Sequence, residues 1–185
     1  MSSRLDVRKI IFRLGFAAIP LPSDEIAAYT GIDKKLISNF LKRASRKGYV
    51  QRLGKSYVVT DKGLSLVKRK LYRKIHRILY GGSSIKKFRF FKRGGEPTGV
   101  EVRSLKELVE VFKSIGPSSL MFHFEKHDIH RWLGEELEDD FLVFLINKSI
   151  RADIDAHDLH DALYGLLSSR LDSLLALEKK LIELK

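Results

Sequence analysis

Five of the six histidines fall in the second half of the chain, His123, His127, His130, His157 and His160, with Asp128, Asp158 and Asp161 among them. On one continuous helix His123, His127 and His130 stand at i, i+4 and i+7 and share a face, and three imidazoles so placed can hold zinc with its fourth position open. The competing account is that chance scatters His and Asp in this way: there is no HExxH motif and no cysteine, and an extended stretch over residues 120–124 would break the face. No cofactor is assigned, and these three remain the metal candidates. The absence of cysteine also excludes disulfides, thiolate metal sites and a cysteine nucleophile. A nucleophile elbow, a phosphate-binding glycine loop and a dinucleotide fingerprint are missing too, so an enzyme is not expected.

The second set of residues able to do chemistry is cationic. From Asp33 to Lys47 the sequence reads Asp-Lys-Lys-Leu-Ile-Ser-Asn-Phe-Leu-Lys-Arg-Ala-Ser-Arg-Lys. Leu36, Ile37, Phe40, Leu41 and Ala44 have the spacing of a buried helical stripe, which turns Lys34, Lys35, Ser38, Asn39, Lys42, Arg43 and Arg46 outward on a face without an acid. Asp33 is a good N-cap and Gly48 sits where a helix ends in the left-handed conformation. Lysine and arginine hold phosphates, whereas Ser and Asn side chains on the early exposed turns of a helix can reach base edges in a major groove.

The elements on either side fit that use. Ser23 to Tyr29 reads as a short capped helix, and Thr30-Gly31-Ile32 is a tight turn into the cationic helix, the helix-turn-helix layout. Tyr49 to Leu53 and Ser56 to Val59 are two β-type runs around Gly54-Lys55, so a hairpin follows with Arg52 and Lys55 at its tip. Helix, turn, helix, hairpin is the order of a winged helix. The segment Gly48-Tyr49-Val50, with Tyr57-Val58-Val59-Thr60-Asp61-Lys62-Gly63, is similar to the part of winged helix-turn-helix domains where the chain leaves the wing for the next helix. Residues from about Leu5 to Leu79 therefore resemble the winged helix-turn-helix domains of archaeal and bacterial transcription regulators. The resemblance implies a DNA-binding domain with its recognition helix at 33–47 and its wing at 49–59.

Charge is divided unevenly along the chain. The formal net charge of +12 conceals a first hundred residues with 24 Lys and Arg against 6 Asp and Glu, and a remainder with 11 against 17. A strongly basic half attracts polyanions and holds phosphates by releasing their counterions. No uncharged apolar run approaches the ~18 residues of a membrane span. The apolar run from Leu14 to Pro22 follows Arg13 and lacks an A-x-A cleavage pattern, so a cytoplasmic protein is expected.

In chain order, Met1 to Arg4 reads as a frayed basic start and Leu5 to Ala18 as the first helix, with Val7, Ile10, Ile11, Leu14 and Ala18 inward. After the wing, Asp61 to Tyr80 reads as one helix with Leu64, Val67, Leu71, Ile75, Ile78 and Leu79 in register. Gly81-Gly82-Ser83-Ser84 has the composition of a flexible linker, which gives domains at 1–80 and 85–185. Beyond it, residues 85–92 alternate as a strand rich in aromatics and cations, turn at 94–99, and return at 100–102. The aromatics can stack on bases or pack on the helices that follow, with the lysines snorkelling.

Ser104-Leu105-Lys106-Glu107 is a capping box for a helix ending before Gly116-Pro117. Further helices are expected at Ile129–Leu137, Asp139–Lys148 and Ala156–Leu184, the last keeping a leucine register broken only at Arg170. From about Ile85 to Leu175 the chain resembles an archaeal domain family of uncharacterised function, on the capped Ser-Leu-Lys-Glu-Leu helix, Phe122-His123 and Asp128-Ile129-His130-Arg131-Trp132-Leu133. The resemblance carries over His123, Asp128 and Trp132 as shared positions of unknown role. His130 stands at a variable one.

The expectation is a mainly α protein with small β elements: a winged helix binding double-stranded DNA, joined to an acidic α-rich α+β domain that assembles or senses. Phosphate contacts are expected from Lys34, Lys42, Arg43, Arg52 and Lys55, and base contacts from Lys35, Ser38 and Asn39. A homodimer is expected, because one winged helix reads a short half-site and two apolar seams, Leu64–Leu79 and Leu163–Leu184, run longer than their domains require. The alternatives are a protein-assembly adaptor with an acidic partner, a nucleoid-associated architectural protein, and a histidine-dependent metalloenzyme.

Overall fold

Asp6 opens the first helix by accepting from Arg8 N and Lys9 N, and α1 runs Val7–Ala17. The computed structural model describes residues 6–151 and 153–184, so the expected start at Met1 to Leu5 lies outside the described residues. Val7 is exposed and the helix ends at Ala17, which leaves Ile10, Ile11, Leu14 and Phe16 as the inner stripe. After β1 (Leu21–Pro22) come α2 (Ser23–Thr30) and α3 (Lys34–Arg46), then β2 (Val50–Leu53) and β3 (Ser56–Val59). The three strands form an antiparallel sheet in the order β1-β3-β2, with Leu21 opposite Tyr57 and Val50 opposite Val59.

The stretch expected to be one helix from Asp61 to Tyr80 is two, α4 (Asp61–Ser65) and α5 (Lys68–Tyr80). Between them Leu66 N bonds to Gly63 O and Val67 N to Leu64 O, the i→i+3 pattern of a 3₁₀ turn, before Leu71 N to Val67 O restores the α pattern. Gly63 is the pivot. A Cβ there would fall inside the van der Waals shell of Tyr49 O and 2.6 Å from Val59 Cγ1, so a side chain would separate α4 from the hairpin. Thr60 completes the corner, capping Gly63 N at 3.2 Å and donating to Gly48 O at 2.5 Å.

The chain divides into two compact units, one holding the residues up to Arg73 and from Ala176 on, the other Lys74–Leu175. Both divisions fall inside helices, α5 and α10 (Ala156–Glu183), whereas the sequence reading set the boundary at Gly81–Ser84. Those glycines do local work instead. Gly81 adopts φ +75°, closes α5 by donating to Arg77 O at 2.8 Å, and would place a Cβ 2.8 Å from Arg103 O. In the first unit Lys180 Nζ meets Asp61 Oδ1 at 2.6 Å, which fastens the end of α10 to α4.

The second unit contains the hairpin β4 (Phe88–Phe91) and β5 (Pro97–Val102), then α6 (Leu105–Phe112), α7 (Pro117–Glu125), α8 (Asp128–Arg131), a π-helical turn at Trp132–Glu136 and α9 (Asp140–Ser149). The capping box is shifted by one residue: Ser104 Oγ accepts from Glu107 N at 3.1 Å, but Glu107 Oε2 accepts from Arg103 N at 2.7 Å. Residues 120–124, whose class the sequence leaves open, are helical. Asp155 caps α10 through His157 N and Asp158 N, and those bonds, Asp158's foremost, hold its carboxyl below the ordinary range.

Arg170, the one break in the leucine register, lies at the centre of this unit. Its Nε and Nη2 donate to Asp139 Oδ2 and Oδ1 at 2.9 and 3.0 Å, a bidentate pair fully buried at both ends. The leucines around it, Leu163, Leu167 and Leu174, are buried too, as are Leu71, Ile75, Ile78 and Leu79 on α5. Most residues of the two apolar seams are therefore buried. The protein is mainly α with small β elements, and among the described residues no helix is long and apolar enough to cross a membrane.

Candidate nucleic-acid interface

Asp33 accepts from Lys35 N at 2.9 Å and Leu36 N at 3.1 Å, so α3 starts at a capped and defined position. Ile37, Phe40, Leu41 and Ala44 face the core, and burial of three large apolar side chains, each contributing about 1.5–3 kcal/mol, fixes the helix's rotation about its axis. The opposite face is set by default. Lys34, Lys35, Asn39, Lys42, Arg43 and Arg46 are exposed and Ser38 is half-buried. Gly48 follows with φ +72° and Tyr49 N returns to Ala44 O at 2.9 Å, which turns the chain directly into the hairpin.

Charge on this face is unopposed. Between residues 33 and 59 there are eight Lys and Arg and one acid, Asp33, and that acid is spent on the helix cap. Among the described residues none of Lys34, Lys35, Lys42, Arg43, Arg46 and Lys55 stands in an ion pair. Arg52 donates through Nε to Gly54 O at 2.8 Å, which folds its stem over the hairpin tip and leaves both Nη groups without a partner among the described residues. Several cations of the second unit are neutralised: Lys74 pairs with Asp140, Arg77 with Glu138, and Lys87 and Arg89 with Glu101. The Lys87 ammonium foremost, with Arg89, holds the Glu101 carboxyl below its ordinary range.

The face also holds a residue that the sequence reading put inside. Leu36 is 50% exposed, and with Asn39, Lys42, Arg43 and Arg46 it lines a shallow groove of about 400 Å³. It directly precedes Ile37, so it stands about 100° around the helix from that buried residue, on the shoulder of the cationic face. The periodicity contained this information; a five-residue stripe was drawn too wide.

The histidine set does not assemble. α7 ends at Glu125 and His127 takes φ +56°, so the chain turns before α8 and the three histidines do not share the face of one continuous helix. His123 Nε2 accepts from Phe91 N at 2.9 Å, which leaves the ring proton on Nδ1, where it meets Asp128 Oδ2 at 3.3 Å. Both ring nitrogens are committed. Burial foremost, opposed by Asp128, lowers the His123 pKa from its usual 6.5. His127 and His130 lie with ring centroids 5.4 Å apart, and burial and His127 lower the His130 pKa in the same way. Among the described residues no group of three or more His, Cys, Asp or Glu is placed to hold a metal ion.

His123, Asp128 and Trp132 do converge, on the β4 strand. Ser119 Oγ donates to Phe91 O at 2.7 Å from one turn before His123 on α7, so these two side chains satisfy both backbone groups of Phe91 at the sheet edge. Trp132 Nε1 donates to Lys86 O at 2.8 Å, and Phe88 packs between Trp132 and His123 with centroids 5.6 and 5.0 Å away. Phe88 and Phe90 are thus core residues of the unit. A cleft of about 580 Å³ opens beside them, with Trp132, Phe91, Asp128 and Arg131 on its walls.

No protein-family model matches this chain, and no curated protein or solved structure matches it either. The geometry of these two regions therefore stands by itself.

Proposed function

We propose that the first unit binds duplex DNA, with α3 in the major groove and the β2–β3 hairpin against the adjoining backbone or minor groove, and that the protein regulates transcription. The carrying observation is the cluster of cations around Asn39 that stand in no ion pair among the described residues, on a helix whose rotation is fixed by its buried face. A helix bearing such a face fits the ~12 Å width of the major groove, and a hairpin next to it reaches the flanking phosphates. The second unit, with its cleft beside Trp132, is read as the part that senses or assembles. A dimer is not needed for this reading.

Binding of labelled random and genomic duplexes across a salt series tests it. With Lys34, Lys42, Arg43, Arg52 and Lys55 on phosphates, log K should fall against log salt with a slope of about −4 to −5. Site-specific binding should stand roughly a thousandfold or more above non-specific binding. A steep slope with no sequence preference would make the protein architectural, and no binding at low salt would overturn the proposal.

A further inference from the structure

We infer that Leu36 is a specificity residue of the α3 face and reads the 5-methyl group of thymine, so that the bound site contains an A·T pair beneath the first turns of α3; this rests on the duplex-binding reading above. Leu36 is half exposed on a cationic face, where a lysine or serine would cost nothing and a leucine leaves apolar surface in water. A lone exposed leucine is ordinary on a protein surface, but this one is placed. It stands one turn before Asn39 on the same side of the helix, and both line one groove with Lys42, Arg43 and Arg46.

The chemistry of that pair is specific. A carboxamide such as that of Asn39 matches adenine in the major groove, accepting from N6 and donating to N7, and the thymine methyl is the one apolar group that the major-groove edge offers. Leucine has no donor or acceptor, so of the four base-pair orientations it gains only against those that present a methyl. A leucine beside an asparagine thus fits an A·T pair, or two adjacent ones, and leaves G·C unrewarded. The flanking Lys42, Arg43 and Arg46 supply affinity without choosing a base.

The test starts from the best duplex selected out of a random pool by the full-length protein. Each thymine of that site is then replaced singly by uracil, which removes the methyl and keeps every hydrogen bond. At one or two positions the wild type should lose about fourfold in affinity, the worth of one buried methylene-sized group. Leu36→Ala should bind the thymine duplex about fourfold more weakly and no longer distinguish thymine from uracil, while circular dichroism matches the wild type because the side chain is half exposed. Duplex binding that is sequence-specific but indifferent to every uracil, or a Leu36→Ala variant that still senses the methyl, overturns this inference and leaves the DNA-binding reading standing. Absence of any duplex binding overturns both.

Discussion

Replacing Asp139 by Ala should nearly unfold the second unit. Asp139 is 0% exposed and accepts three bonds, from Arg170 Nε, Arg170 Nη2 and Leu142 N, the last as the cap of α9. The substitution takes the bidentate carboxylate away from a guanidinium that is 2% exposed, with the Phe141 ring 5.1 Å away. Removing one partner of such a buried pair costs roughly 3–5 kcal/mol, and losing the cap about 1 kcal/mol more. A domain is stable by only about 5–15 kcal/mol, so most of the margin is lost. The contrasting variant is Asp139→Leu with Arg170→Met, which removes both charges and should recover most of the loss, since apolar replacement of a buried pair is often neutral. Urea unfolding followed by the fluorescence of Trp132, the single tryptophan and a residue of this unit, reads the effect directly. The reasoning fails if Asp139→Ala shifts stability by less than about 1 kcal/mol, or if the double variant is no better than the single one.

Three further outcomes are expected. Asn39→Ala should relax sequence preference at one position at a cost of roughly 1–3 kcal/mol, whereas Lys42→Ala should weaken all duplexes alike and flatten the salt slope by about one unit; equal behaviour of the two would argue against the proposed docking. Gly63→Ala should destabilise the first unit by about 1–3 kcal/mol, because its Cβ would meet Tyr49 O and Val59 Cγ1, and a thermal melt unchanged from the wild type would contradict that packing. The lowered pKa values of His123 and His130 mean that the unfolded chain takes up protons first as pH falls. Stability of the second unit should thus be complete above about pH 6.5 and decline below it, with the Trp132 urea midpoint falling from pH 7 to 5.5 and falling less in His123→Gln.

Local chemistry was legible along the chain. The Asp33 cap, the α3 face, the hairpin around Gly54-Lys55 and the helices that open at Ser104, Asp139 and Ala156 follow from neighbours within a few residues, because caps, turns and amphipathic periodicity act over one or two turns of backbone. The five-residue apolar stripe of α3 was one residue too wide. The break at Leu66-Val67 was invisible, because it is tied to Gly63's position against Tyr49, fourteen residues earlier.

Tertiary structure decided the rest, wherever a residue's role depends on a partner distant in sequence. Arg170 looks like an interruption of a leucine seam until Asp139, 31 residues away, is brought to it; the two charges are tolerable only together, and no window of sequence contains both. His123 looks like a metal ligand until Phe91 N, 32 residues earlier, takes its Nε2 and His127 turns the chain. Most of the seam leucines, Leu163, Leu167 and Leu174 among them, prove buried, which periodicity alone does not tell. Sequence by itself determined which faces are apolar, cationic or capped, since those are properties of nearest neighbours. Which apolar faces are covered, and which charges are neutralised, depends on contacts between segments far apart in the chain, and only the folded chain contains them.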